Sequence, residues 1–154
     1  MRGTLIGICV GVVGMIVLGF LGSSAAAPPH EPSTDTRQRL VLAPTQRDMM
    51  LTEMRQMLGS ISGIMRSLAA NDLPAAEKAT RAAGMMHAAD VDPQIQKLLP
   101  QQFLDLAMHT HMGFDKLADQ IKAGSSRDDT LRGLATLTGN CMACHAMYRL
   151  DEAR

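Results

Sequence analysis

Leu131-Arg132-Gly133-Leu134-Ala135-Thr136-Leu137-Thr138-Gly139-Asn140-Cys141-Met142-Ala143-Cys144-His145-Ala146-Met147-Tyr148 is the stretch on which the fold turns. Within it Leu131, Leu134, Thr138, Cys141, His145 and Tyr148 recur in steps of three and four, the period of one helical face. Two cysteines separated by two residues therefore lie about one helical turn apart on a shared side. An imidazole follows directly after the second. This is the C-x-x-C-H spacing through which a c-type haem is attached. The two thiols add across the two vinyl groups of one porphyrin, and the imidazole folds under the ring to bind iron as a neutral nitrogen ligand. One covalent haem c is expected, with Cys141 and Cys144 as thioether attachments and His145 as proximal ligand.

Other uses of a Cys pair fit less well. A structural zinc site needs four ligands, commonly two Cys pairs or a Cys pair with a His pair. The third cysteine, Cys9, lies in a hydrophobic leader, and the remaining histidines lack the matching spacing. A thioredoxin-type dithiol would open a helix inside a β-α-β pattern, and nothing in the chain reads as a strand. A plain surface disulfide leaves the adjacent His145 unexplained.

The leader runs from Met1 to about Ala26. Arg2 supplies a positive start, Thr4 to Gly22 form an uncharged and mostly apolar run, and Gly22 to Ala27 offer small residues for signal peptidase. The run approaches the roughly 20 residues that span a bilayer. Residues 1–26 are thus a cleaved signal peptide or an uncleaved membrane anchor, and either places the domain in the periplasm. Without Arg2 the 15 basic residues fall to 14 against 15 acidic ones. Near-neutral charge with no basic run gives no case for nucleic acid. Beyond the leader the aromatic residues are Phe103, Phe114 and Tyr148, a thin supply for a core unless something large fills it.

Residues 27–44, with Pro28, Pro29 and Pro32, read as an extended tether. Residues 45–154 then show a helical period almost throughout. Met50, Met54, Met57, Ile61, Ile64 and Leu68 line one face of a first helix over Thr45–Ala70, with Asp48, Glu53, Arg55, Gln56 and Arg66 off that stripe. Asn71-Asp72 breaks it, and Asp72 caps a second helix over Leu73–Ala89 with Pro74 in its first turn. Ala76, Ala79, Ala83 and Met86 form its inward face. A short turn at Pro93–Leu99 precedes a third helix over Pro100–Ala123, striped by Phe103, Leu106, Thr110, Phe114, Leu117 and Ile121. Gly124-Ser125-Ser126 stops it, and Ser126 or Asp128 opens the fourth. The expected fold is all-α: an antiparallel four-helix bundle with haem c near the C-terminal end of helix four, the bundle interior being a recognised place for cofactors.

The tail from Asn140 to Arg149 resembles the end of the class II cytochromes c, the cytochrome c-prime family and its low-spin relatives. There the attachment motif lies near the end of the last helix and is followed by an aromatic-Arg pair, here Tyr148-Arg149. Gly113-Phe114-Asp115-Lys116-Leu117 is similar to the family's third helix. The resemblance covers residues 45–154. The chain departs from the family in a short connection between helices two and three and in lacking Trp.

The resemblance implies that one position near the start of the first helix decides the chemistry. A Met there coordinates iron in the low-spin, electron-carrying branch, while an apolar residue leaves iron five-coordinate in the branch that binds nitric oxide or carbon monoxide. Met50, Met54 and Met57 all lie on the inward stripe. The family's position, about four turns before the end of that helix, falls on Met54. A thioether is a soft ligand that raises the reduction potential, although a Met stripe more commonly serves as core packing. His111 could instead approach the interior, whereas His109 sits on a polar flank and His87 at the edge of helix two. Arg149, one turn beyond His145, is a candidate partner for a haem propionate, or a solvated cation attracted to the helix C-terminus.

These readings together describe a periplasmic monohaem one-electron carrier with His145/Met54-ligated iron, working with redox partner proteins. The five-coordinate gas binder is one rival and a haem-based sensor subunit, suggested by the anchor and tether, is another. No paired acid and base residues suggest an enzyme. The Ala-rich second helix suits packing within one bundle, or between subunits in the homodimer that family members often form through their first two helices.

Overall fold

Proline, a carboxylate and a hydroxyl mark the helix starts. In the computed structural model, which describes residues 34–88 and 93–153, helix α1 spans Pro44–Ala69 with proline in its first turn. Asp72 then caps α2, Leu73–Arg81, its side chain accepting from the Ala75 amide at 2.9 Å. A single turn, α3 (Met85–Ala88), follows, and a second, α4 (Pro93–Gln96), leads into α5, Gln101–Lys122. Ser126 caps α6, Arg127–Met147, by accepting from the Asp129 amide, and Asp128 and Asp129 add negative charge to its first turn. Between α1 and α2, Asn71 takes φ of 59°, a left-handed conformation that asparagine tolerates. The chain is mostly helical, as expected of an all-α protein, and Thr36–Arg154 form one unit by contact density. The leader, Cys9 and the first prolines of the tether lie outside the described residues.

Two short strands depart from expectation. Gln38–Leu42 (β1) pairs in parallel with Tyr148–Glu152 (β2), Gln38 opposite Tyr148 and Leu42 opposite Glu152. The tether therefore does not run loose to Pro44. Leu40 and Leu42 alternate with exposed Arg39 and Val41, a period of two that buries one side of the strand. At the other end α6 stops at Met147 rather than carrying on through Arg149, because Tyr148 is extended, with ψ of 150°. Arg37 donates from Nη1 to the carbonyls of His145 and Tyr148, at 3.1 and 3.4 Å, where the helix leaves them without intrahelical partners.

The main core lies among α1, α2, α5 and α6, where Ile64, Leu68, Ala76, Phe114, Leu117, Ile121 and Leu134 are buried together with Ala83 from the turn after α2. A Cβ built on Gly63 would come 3.2 Å from the Ala79 Cβ, so small residues set the close approach of α1 to α2. A second cluster closes the opposite end: Leu40, Leu42, Met50, Ile95, Leu99, Phe103 and Tyr148. Phe103 and Tyr148 meet edge to face, centroids 5.4 Å apart.

Two stripes are shifted from their expected positions. On α6 Leu131 is exposed, and the inward line runs through Thr130, Leu134, Leu137, Cys141, Cys144 and Tyr148. Thr130 can be buried because its hydroxyl donates to the Ser126 carbonyl at 2.9 Å. The second helix ends at Arg81, not Ala89, and Met86 is exposed rather than inward. The cause is a polar knot. Asp115 accepts from the Met85 amide at 2.8 Å and from Arg81 Nη1 at 3.3 Å, drawing the chain into a turn at 82–84. A side chain at Gly84 would collide with that carboxylate.

Candidate functional site

Between the two clusters the helices part around a cavity of about 410 Å³, within the usual range for small-molecule and cofactor sites. Cys141, Cys144 and His145 from the end of α6 line it on one side, with Asn140 beside them. Met50, Met54 and Met57 line it from α1, and Phe103, Leu106 and Thr110 from α5. The lining is predominantly apolar. Cys141 and Cys144 are half-buried free thiols, while His145 is exposed although it borders the cavity. The sequence stripe that places His145 on one face with Leu134 and Cys141 is thus corrected: the inward line of α6 passes through Cys144 and leaves His145 at the rim.

Burial pushes both thiols above the ordinary cysteine pKa, and for Cys144 the neighbouring Cys141 adds to the rise. A reactive redox dithiol needs the opposite, a pKa lowered by a helix N-terminus or a nearby cation. These cysteines sit at a helix C-terminal end. Among the described residues no three His, Cys, Asp or Glu side chains gather closely enough to hold a metal ion by themselves.

The three methionines are not equivalent. Met50 is only 7% exposed and belongs to the second cluster. Met57 packs on the main core at the other side of the cavity. Met54 is half-buried and packs against the second cluster, the same cluster that Cys144 and Met147 pack against.

His111 is buried, and both ring nitrogens are engaged. Nδ1 lies 2.8 Å from the Ala83 carbonyl and Nε2 lies 3.2 Å from Glu53 Oε1. Both neighbours are acceptors, an arrangement that favours a proton on each nitrogen. Burial alone would depress its pKa, but the Glu53 carboxylate and the Ala83 carbonyl outweigh it, leaving the pKa above the ordinary histidine value. With both nitrogens engaged by these partners, His111 is not presented to the cavity as a ligand. His109 is exposed, and the side chain of His87 lies outside the described residues.

Arg149 is not where the sequence suggested. It lies in β2, its Nε 3.5 Å from Asp151 Oδ1, and it is not among the cavity-lining residues. The arginine that does line the cavity is Arg55, held by Nη2 donating to Thr52 Oγ1 at 2.8 Å. Glu53 lines it too, with a side chain 18% exposed. Both had been read as lying off the inward stripe, because that stripe was traced through apolar residues alone. Glu53 stands three residues after Met50 and four before Met57, which is the same face of a helix.

Comparison of the chain with family models found no match, and neither the curated proteins nor the solved structures contain one.

Proposed function

We propose that this chain is a periplasmic monohaem c-type cytochrome, an antiparallel four-helix bundle that carries single electrons and is not an enzyme. One observation carries the reading: Cys141, Cys144 and His145 border an apolar cavity that Met50, Met54 and Met57 also line. The donor set fits the group. Two free thiols at C-x-x-C spacing and an imidazole directly after them are the residues that attach haem c, and the thioethers that border the same cavity are soft donors able to bind its iron.

When bound, haem supplies a one-electron iron couple whose potential is set by its axial ligands and its burial. Cys141 and Cys144 would hold the porphyrin covalently and His145 would bind its iron. Met54, which packs against the same cluster as Cys144, would supply the second protein ligand. Arg55 neutralises a propionate by charge-assisted hydrogen bonds, the role the sequence had suggested for Arg149. The apolar walls from Phe103, Leu106 and Ile61 exclude water and stiffen the surroundings of the cofactor. The leader assigns the domain to the periplasm, and the partners are redox proteins that dock near the cavity rim.

Mass spectrometry of the mature protein, made in a host with working haem-attachment machinery, tests the cofactor: one covalently retained haem is expected, and a clean unmodified mass would sink the assignment. The visible spectrum of the oxidised protein tests the carrier. A long-wavelength methionine–iron charge-transfer band supports it. A high-spin spectrum with rapid carbon monoxide binding after reduction selects the five-coordinate gas binder instead.

A further inference from the structure

At the level of the cavity, packing does not set the distance between α1 and α5. Towards its C-terminal end α1 is locked by Ile64 and Leu68 in the main core, and near its start by Met50 in the second cluster. Between them Glu53, Met54, Arg55, Met57 and Leu58 border the cavity. Across that gap runs one polar tie, Glu53 Oε1 to His111 Nε2 at 3.2 Å. The imidazole is itself held from behind, its Nδ1 2.8 Å from the Ala83 carbonyl. Ala83 lies in the turn that Asp115 fixes by accepting from the Met85 amide and from Arg81. A continuous polar chain thus leads from Arg81 on α2, through α5, to the residue directly before Met54.

We propose that Glu53 and His111 are positioning residues that hold the N-terminal half of α1 at the spacing and rotation from which Met54 reaches the cofactor iron. This rests on the haem reading above. Glu53 borders the same cavity, and in this role it acts through the helix that carries Met54. Rotating α1 to release Glu53 would carry Met54 with it, since adjacent residues turn together on one backbone. A buried ion pair is a poor stabiliser compared with apolar packing, and its best-attested use is to fix register. That use matches a place where apolar packing is interrupted by a cavity.

Removing one partner would strand a buried charge and jeopardise folding, so the test uses variants that avoid it. Glu53→Gln keeps the tie, because the amide donates to a neutral His111 that still donates to Ala83. The double variant Glu53→Leu/His111→Leu removes the tie together with both charges, an exchange that usually leaves stability intact. Each is purified with haem attached and compared with wild type by the methionine–iron band, the midpoint potential and the rate of carbon monoxide binding to the reduced form.

The double variant should lose most of the band, show a lower potential and bind carbon monoxide roughly tenfold faster, the scale of one charge-assisted hydrogen bond. Glu53→Gln should match wild type. A double variant with the wild-type band and binding rate overturns the proposal, and so does loss of the band in Glu53→Gln. A wild-type protein lacking haem or the band is a separate outcome, which overturns the functional reading itself and this proposal with it.

Discussion

The guanidinium of Arg37 donates to the backbone carbonyl of His145 at 3.1 Å, joining the segment before the first helix to the last residue of the C-x-x-C-H motif. The contact makes β1 part of the site's frame. It holds the end of α6 at the point where that helix gives way to β2, and Arg47 adds a bond from Nε to the Leu150 carbonyl at 3.4 Å. An isolated two-stranded sheet is marginal in water. This one persists because Leu40 and Leu42 bury beneath it with Met50 and Tyr148.

Leu42→Ala should therefore destabilise the protein by about 2–5 kcal/mol, the usual cost of emptying a buried leucine site. Leu42 is 1% exposed. Val41→Ala, on the exposed side of the same strand, should cost less than about 0.5 kcal/mol. Chemical denaturation of both variants checks the difference. Equal and negligible effects would mean that residues 38–42 behave as a loose tether after all.

Two helical-region glycines should respond in opposite directions to alanine. At Gly84 the new Cβ would lie within contact of all three carboxylate atoms of Asp115, closer than any real Cβ approaches. Asp115 cannot yield cheaply, since Arg81 and the Met85 amide hold it, so Gly84→Ala should cost about 1–3 kcal/mol. At Gly59, inside α1, nothing lies within 4 Å of the added carbon. Gly59→Ala should stabilise by about 0.5–1 kcal/mol through the unfolded chain's lost freedom. Melting curves of the two variants on either side of wild type are the expected result.

How much of this was legible in the sequence differs from element to element. Helix starts at Asp72 and Ser126 were readable because capping is local chemistry within three residues. The inward line of α5 was readable because Phe103, Phe114 and Leu117 are large and regularly spaced. The break in the second helix was not, because it depends on Asp115, thirty residues away from the Met85 amide it accepts from. The parallel strands were hidden for a similar reason, since each is five residues long and finds its partner at the far end of the chain. At the site, Cys141, Cys144, His145 and the methionines were found by type and spacing. Glu53 and Arg55 do not stand out in the sequence, because a charged residue on a helix more often marks its outer face.

Stability should fall as pH rises above neutral. His111 is paired with the Glu53 carboxylate and has a folded-state pKa above its ordinary value of 6.5. A raised folded pKa means that the folded state holds the proton more tightly. The contribution is fully present below the unfolded-state value and is lost as pH climbs through the raised one. Urea denaturation midpoints should decline across that window in wild type. They should decline less in Glu53→Leu/His111→Leu, in which neither group of the pair titrates. A wild-type midpoint that rises through the same window would contradict a raised folded-state pKa for His111.

On the haem reading proposed above, Arg55 and Arg149 can be told apart as propionate partners by comparing the two arginines. Arg55 lines the cavity and its guanidinium is held on the same helix by Thr52, whereas Arg149 lies in β2 against Asp151. Removing a cation beside a propionate leaves the carboxylate easier to protonate and favours electron density on the iron less. Arg55→Gln should therefore lower the midpoint potential and raise the pH at which the potential begins to change, with attached haem still retained through Cys141 and Cys144. Arg149→Gln should leave both readouts at wild-type values and act, if at all, on thermal stability through β2. Potentiometric titration of the two variants over a range of pH decides between them, and a shifted potential in Arg149→Gln with none in Arg55→Gln would return the role to the strand.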